Sequence, residues 1–335
     1  MTKPPRLIAA LLVAALLAIL FALLSGSAKV DAGEVWQVLT GGGTGAVRTL
    51  VLELRLPRAL TAFGVGGLLA IAGVFMQVLL RNPLAEPYIL GTSGGAAVAA
   101  LSGMLLGWGA AWIDVAAFAG ALGSALLVFS IATGSGSWTP NRLLLTGVVL
   151  AAGFSAITTL LLALSPDTQL RGMLFWLMGD LSFAYAPGKL LLLMGVIAFG
   201  GTLGARHLDV LARGELQATI LGLPVAATRL ALFSVTAVAV ALTVTSVGVI
   251  GFVGLVVPHL VRLLTGSAHR VVIPAAVLAG GSLLVIADTV ARSIIAPRQL
   301  PVGAITAMLG VPLFLLLMAR GERSRLAARP GQLDQ

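Results

Sequence analysis

The sequence predicts an all-α integral membrane protein with about ten transmembrane helices, and three observations carry that reading. The 335 residues are 59% hydrophobic and only 10% charged, against about a quarter charged in soluble domains. Apolar runs close to the ~20 residues that cross a bilayer recur along the whole chain. The arginines gather at the ends of those runs, where they set orientation, and not in a basic stripe with interleaved aromatics. The net charge of +9 therefore speaks for membrane topology and against nucleic acid as a partner.

Taken in order, Lys3 and Arg6 precede the apolar run Leu7 to Leu24, and Ser25-Gly26-Ser27-Ala28 follows it, as in a cleavable leader. The run exceeds the ~7–15 residues of a leader core and is long enough to span. Residues 1–28 are read as a retained first helix, with cleavage left open because it would not change the orientation downstream. The spans fall at 6–25, 57–80, 90–107, 112–133, 142–165, 187–205, 229–249, 251–266, 272–294 and 301–319. The eighth is short and holds Pro258; in isolation such a segment is more often re-entrant. With both termini in the cytoplasm, the inner segments hold 13 of the 21 basic residues, from Lys3, Arg6 and Arg81 to Arg320, Arg323, Arg325 and Arg329. That excess fits the positive-inside rule and supports keeping the eighth span.

Residues 26–56 form the largest outer segment. Residues 165–188 hold an apolar core, Met173 to Met178, too short to cross, and read as a short helix at the outer interface where Trp176 and Tyr185 suit the headgroup level. In the second span Gly66, Ala70 and Gly73 follow a three-to-four spacing that suits close helix packing, and Gln77 continues the face. A polar residue in a span is either a packing group or a pathway group. A short echo, Leu56-Pro57 with Thr61-Ala62 and Leu300-Pro301 with Thr306-Ala307, is too brief for an internal repeat.

The longest polar interlude is Arg206 to Arg229, with Arg213, Asp209, Glu215 and Gln217. Val210, Leu211, Ala218, Leu221 and Leu223 are spaced to give a short helix one apolar side, and Gly222 and Pro224 end it. A solvated loop is the alternative. Chemistry is otherwise sparse. No G-x-x-x-x-G-K-[ST] motif occurs, so the chain lacks that phosphate cradle. There is no cysteine, and three histidines without paired spacing argue against a metal cage. Asp288 and Arg292, four apart near the end of span nine, are expected to pair. Ion-driven carriers need buried carboxylates near the midplane, so this chain is expected to borrow its energy from a partner. It offers no catalytic cluster, and no cofactor is expected.

Six tracts, RLPRAL (55–60), QVLLRNPLAEPYILGTSGGA (77–96), RGELQATILGLP (213–224), GVIGFVGLVVPHLVRLLTGSAHR (248–270), ADTVAR (287–292) and LPVGAITAMLGVPLFLLL (300–317), resemble the FecCD-type permeases. These are the transmembrane subunits of bacterial ABC importers for iron–siderophores, haem and vitamin B12. The likeness runs from about residue 50 to 320, with the motifs in order. It implies a type II importer fold and a single permease domain over residues 1–335, with the cytoplasmic coupling segment at 206–229. It also implies a multi-pass place in the bacterial inner membrane. The implied partners are two cytoplasmic ABC ATPase subunits, a periplasmic or lipid-anchored substrate-binding protein, a second permease copy or a paired related chain, and membrane lipid.

The resemblance also assigns residues. Arg213, Glu215, Ala218, Gly222, Leu223 and Pro224 match the coupling helix that seats on the ATPase. Arg55, Arg58 and Arg292 match outer arginines that meet acidic residues of the binding protein; headgroup anchoring is the plainer reading of the first two. Asn82, Leu84 and Asn141 match loops that close the channel in the vitamin B12 branch, with Gln77 beside the pathway. The cargo stays open between an iron chelate and vitamin B12, although SPDTQLRGMLFWLMG (165–179) is similar to the vitamin B12 branch. A self-sufficient secondary transporter or channel is the alternative function.

Overall fold

The computed structural model describes residues 4–26, 28–43, 45–134, 139–182 and 187–327. Tyr185 and Arg329 lie outside them, and the side chains of Arg320, Arg323 and Arg325 are likewise not described. Fifteen α-helices follow one another among the described residues. They are α1 (Pro4–Leu24), α2 (Ala32–Leu39), α3 (Ala46–Thr49), α4 (Leu56–Leu79), α5 (Thr92–Leu105), α6 (Ala110–Thr133), α7 (Pro140–Leu164) and α8 (Asp167–Met178). Then come α9 (Pro187–Leu203), α10 (Ala205–Ala212), α11 (Glu215–Ile220), α12 (Val225–Val247), α13 (Val253–Thr265), α14 (His269–Ser293) and α15 (Val302–Ala327). No strand occurs among the described residues.

Ten of these helices coincide with the ten apolar runs. Among the described residues six rods are long and apolar enough to cross by themselves: α1, α3 with α4 as Ala46–Leu79, α6, α7, α12 and α14. The α9 rod reaches its end at Gly204 and bends by 65° into α10, which leaves α10 lying across the end of the bundle. The remaining three, α5, α13 and the apolar part of α15, are shorter. At about 1.5 Å per residue, the 13 residues of α13 fall short of a ~30 Å hydrocarbon core. The preceding residues 248–252 complete the passage without helix, which explains why the eighth run looked too short.

The rod ending in α4 is the axis of the fold. Of its apolar window 89% is buried, against 6% for α7. It packs against α14, α12, α9, α13 and α1. The small-residue stripe is what permits this. A methyl group on Gly66 would run into the Gly280 carbonyl oxygen of α14, and one on Gly73 into the Gly254 carbonyl oxygen of α13. Ala70 also faces Gly280. The stripe is a packing surface. Just before Pro57, which cannot donate to the helix ladder, the rod widens into a π turn, Leu50–Arg55.

The predicted outer helix is α8, and Met173 is its fully buried anchor. Asp31 and Glu34 cap α2 reciprocally. The interlude 206–229 differs from the expected single helix. Gly214, with φ of +129°, breaks it into α10 and α11. The break resets the helical phase, so Leu211, Ala218 and Leu223 turn inward while Leu221 stands 64% exposed.

The packing reading predicts opposite results for two glycines in long helices. Gly66→Ala is expected to lower stability by ~1–3 kcal/mol through overpacking, measured as a fall in melting temperature in detergent. Gly153→Ala, where a methyl group meets nothing within 4 Å, is expected to cost nothing.

Candidate functional site

Predicted functional residues collect at the two ends of the bundle. At one end, α10 and α11 form a short bracket. Leu208 and Leu211 seat α10 on the core. The Asp209 carboxylate accepts from the His269 backbone N–H at 3.0 Å and lies 2.6 Å from His269 Nδ1, pinning α10 to the first turn of α14. Asp209 Oδ1 thus satisfies an N–H that the start of α14 leaves without a helical partner. Glu215, the first residue of α11, accepts from Arg229 Nη2 of α12 at 2.8 Å. Ala218 is fully buried, and its carbonyl accepts from Leu223 N–H at 2.9 Å. That reversal needs the left-handed backbone of Gly222, φ +78°. Arg213, Gly222 and Pro224 are exposed. So are Leu216, Ile220 and Leu221, at 75%, 75% and 64%. The bracket is fixed at its root and apolar at its tip.

The loop after α4 lies at the same end. Arg81 is left-handed, with φ of +49°, and Asn82 Oδ1 accepts from Leu84 N–H at 2.9 Å, a side-chain turn that presents Leu84 to solvent. Asn141 is also exposed, in the first turn of α7, where Thr139 Oγ1 accepts from Arg142 N–H at 3.3 Å. No hydrogen bond joins Asn141 to Asn82 among the described residues. Gln77 does not share their exposure. It is buried; its Nε2 donates to Leu255 O at 3.2 Å and its Oε1 accepts from Arg262 Nη1. Both polar ends brace α4 against α13.

Beyond Leu84 the chain meets the unwound stretch 248–252. Glu86 Oε1 accepts from Phe252 N–H and Tyr88 Oη from Ile250 N–H, both at 3.1 Å. These side chains satisfy donors that a membrane interior leaves no water to satisfy. Sequence reasoning passed over Glu86, Tyr88, Asp209 and His269. Their partners lie 60 to 166 residues away, and no local spacing encodes them.

At the opposite end stand the three arginines. Arg58 holds Asp288 through Nε at 2.9 Å and Nη2 at 2.8 Å, and its Nη1 donates to Gln299 Oε1 at 3.0 Å. The expected Asp288–Arg292 pair is the looser one, at 3.8 Å, because the Arg58 fork takes the carboxylate in bidentate fashion. Arg292 Nη2 donates to Ala22 O. Arg55 donates to Leu23 O and Ala28 O, both at 2.5 Å. Two cations therefore sit on the carbonyl end of α1, where the helix dipole favours them. Both are buried, Arg55 at 3% and Arg292 at 8% exposure. They turn inward, which differs from the outward-facing row that the resemblance implied.

The sequence model of the FecCD transport family matches residues 5–320. The chain belongs to the FecCD transport family. Members are membrane permease subunits of ABC importers whose ATPase activity resides in partner subunits, so the chain is a permease subunit and not itself an enzyme. A curated relative, the vitamin B12 import system permease protein BtuC of Shigella boydii serotype 18, is 39% identical over 296 residues, 87% of this chain and 90% of that one. BtuC of Escherichia coli O17:K52:H18 is 38% identical over 312 residues, 92% and 93% of the two chains. Among solved structures, an inward-facing ABC transporter described as of metal-chelate type superposes with a TM-score of 0.82 at 28% identity, over 95% of this chain and 99% of that one. PsaBC from Streptococcus pneumoniae, TM-score 0.58 at 18% identity, over 81% of this chain and 93% of that one, shares the fold alone. These likenesses support a multi-pass protein of the inner membrane.

Asp288 serves two guanidinium groups, so its loss is expected to cost more than that of either arginine. Asp288→Asn should destabilise by ~3–5 kcal/mol, the penalty for stranding buried charge. Arg58→Gln should cost less, since Arg292 still faces the carboxylate. Thermal unfolding of both variants in detergent checks the order.

Proposed function

We propose that two copies of this chain form a pathway for a corrinoid of the vitamin B12 class, opened and closed by two cytoplasmic ATPases acting on α11. The observation that carries the reading is the α11 tip: Leu216, Ile220 and Leu221 exposed on a helix whose root is held by Glu215–Arg229 and Ala218. Apolar side chains that project from a braced element suit a groove on a partner, and each one buried there contributes ~1.5–3 kcal/mol. A push on the tip has two rigid routes inward, through Arg229 into α12 and through Asp209 and His269 into α14. ATP then acts by differential affinity of the ATPase pair for two permease states, with no chemistry in this chain.

On this reading the α11 end and both termini face the cytoplasm, and α8 faces outward. The second copy covers part of α7, which keeps only Leu143 and Gly147 buried. Asn82, Leu84 and Asn141 close the cytoplasmic mouth. Residues 206–229 are the coupling segment of a single permease domain. A periplasmic or lipid-anchored binding protein docks on the α8 end, and Arg58 beside Gln299 is the arginine that meets it. Arg55 and Arg292 would have to release the end of α1 before they could take part. The B12-class cargo is favoured over an iron chelate by the 38–39% identity to B12 permeases across most of the chain.

The test is a pair of variants in the assembled transporter. Leu216→Asp with Ile220→Asp is expected to weaken capture of the ATPase by at least ~100-fold, as loss of two buried side chains implies. Replacing Gly222-Leu223-Pro224 with three alanines is expected to leave ATP hydrolysis and abolish cobalamin uptake into liposomes. Normal ATP-dependent uptake by the double aspartate variant would refute the role of α11.

A further inference from the structure

A cavity of about 900 Å³ opens at the α8 end, within one chain. Its lining comes from α4, α5, α6, α8, α9 and α12 of the same chain. One face of α8 forms a wall, through Arg171, Phe175 and Trp176, with Asp114 of α6 and Asp180 after α8 on other sides. Thr61 of α4 also lines it.

Three features mark it as a site and not merely a gap. Thr61 is 2% exposed and its Oγ1 has no hydrogen-bond partner, a buried hydroxyl that ordinarily finds one. Asp114 and Arg171 line one cavity with opposite charges, yet form no ion pair with each other or with another described residue. Arg171 lies instead over the Phe175 ring, 5.7 Å from its centre. The walls thus offer carboxylates and aromatic faces, which suit an ammonium group, together with a guanidinium, which suits a phosphate. Met104, Ile113 and Leu190 supply an apolar part. Trp108 and Trp112, 47% and 68% exposed beside the start of α6, put the mouth at the level of an aromatic belt.

We propose that this cavity binds an ammonium–phosphate zwitterion of the phosphoethanolamine type, carried by a membrane lipid or free in solution. Arg171 takes the phosphate, Asp114 and Asp180 take the ammonium, and Thr61 Oγ1 hydrogen-bonds the part that reaches deepest. Asp180 uses Oδ1 for Ser182, and its Oδ2 has no hydrogen bond among the described residues.

The test is native mass spectrometry of the delipidated full-length protein with dioleoyl phosphatidylethanolamine, dioleoyl phosphatidylglycerol of the same chains, and free phosphoethanolamine. Phosphatidylethanolamine should be retained at least tenfold more strongly than phosphatidylglycerol. Asp114→Asn and Arg171→Gln are both at exposed positions that leave the fold intact; the first should erase that preference, the second should weaken retention of both lipids through the phosphate they share, and the isosteric Thr61→Val should weaken binding about threefold. Displacement of the lipid by millimolar phosphoethanolamine would identify a soluble ligand, and resistance to it a lipid; either result upholds the site. Equal retention of both lipids, indifferent to the three variants, would make the adduct ordinary boundary lipid and overturn the proposal. So would failure of both ethanolamine probes to bind, which would leave the cavity to water.

Discussion

Everything in this bundle depends on how closely α4 approaches its neighbours. Where Gly66 meets Gly280 and Gly73 meets Gly254, backbones touch with no side chain between them. In a bilayer, lipid tails are as apolar as leucine, so helices gain from close packing and not from escape from water. Small residues at those crossings let one rod pack against α14 and α13 while it also meets α12, α9, α1 and α10. With α4 in place, the chain can tolerate a helix as short as α13, because the N–H groups of Phe252 and Ile250 in its unwound lead are taken up by Glu86 and Tyr88 from the loop before α5.

Much of the fold was legible because its signals are local. Ten apolar runs, the glycine stripe and the short helix ending at Met178 are each contained in a window of a dozen or two residues, and each has its counterpart in the structure. The interlude 206–229 was legible as a distinct element but not as two helices. A glycine in a polar stretch does not announce that its φ will be +129°, and that one angle moves Leu221 from the buried side to the exposed one. The long-range pairings were not legible. Arg58 to Asp288 spans 230 residues and Arg292 to Ala22 spans 270; the i, i+4 rule pointed to Asp288–Arg292 because it sees one helix at a time.

The arginines also show how a motif near the chain's outer segments can serve the packing of the fold. Arg55 and Arg292 converge on the last carbonyls of α1, so the first helix ends on two cations supplied by distant helices. Gln77 makes a similar point from within a span. A polar side chain there invites a functional reading, and its amide bonds Leu255 and Arg262 as a cross-brace between α4 and α13.

The bracket at the α11 end has a mechanical character of its own. Gly204 and Gly214 bracket α10 like two joints, one at the 65° bend and one at the left-handed break. A strut between two free joints would fold under load and dissipate any stroke applied to it. Asp209 sits within the strut and fastens it to α14, so the linkage has a fixed pivot between its two joints and not a free hinge at each end.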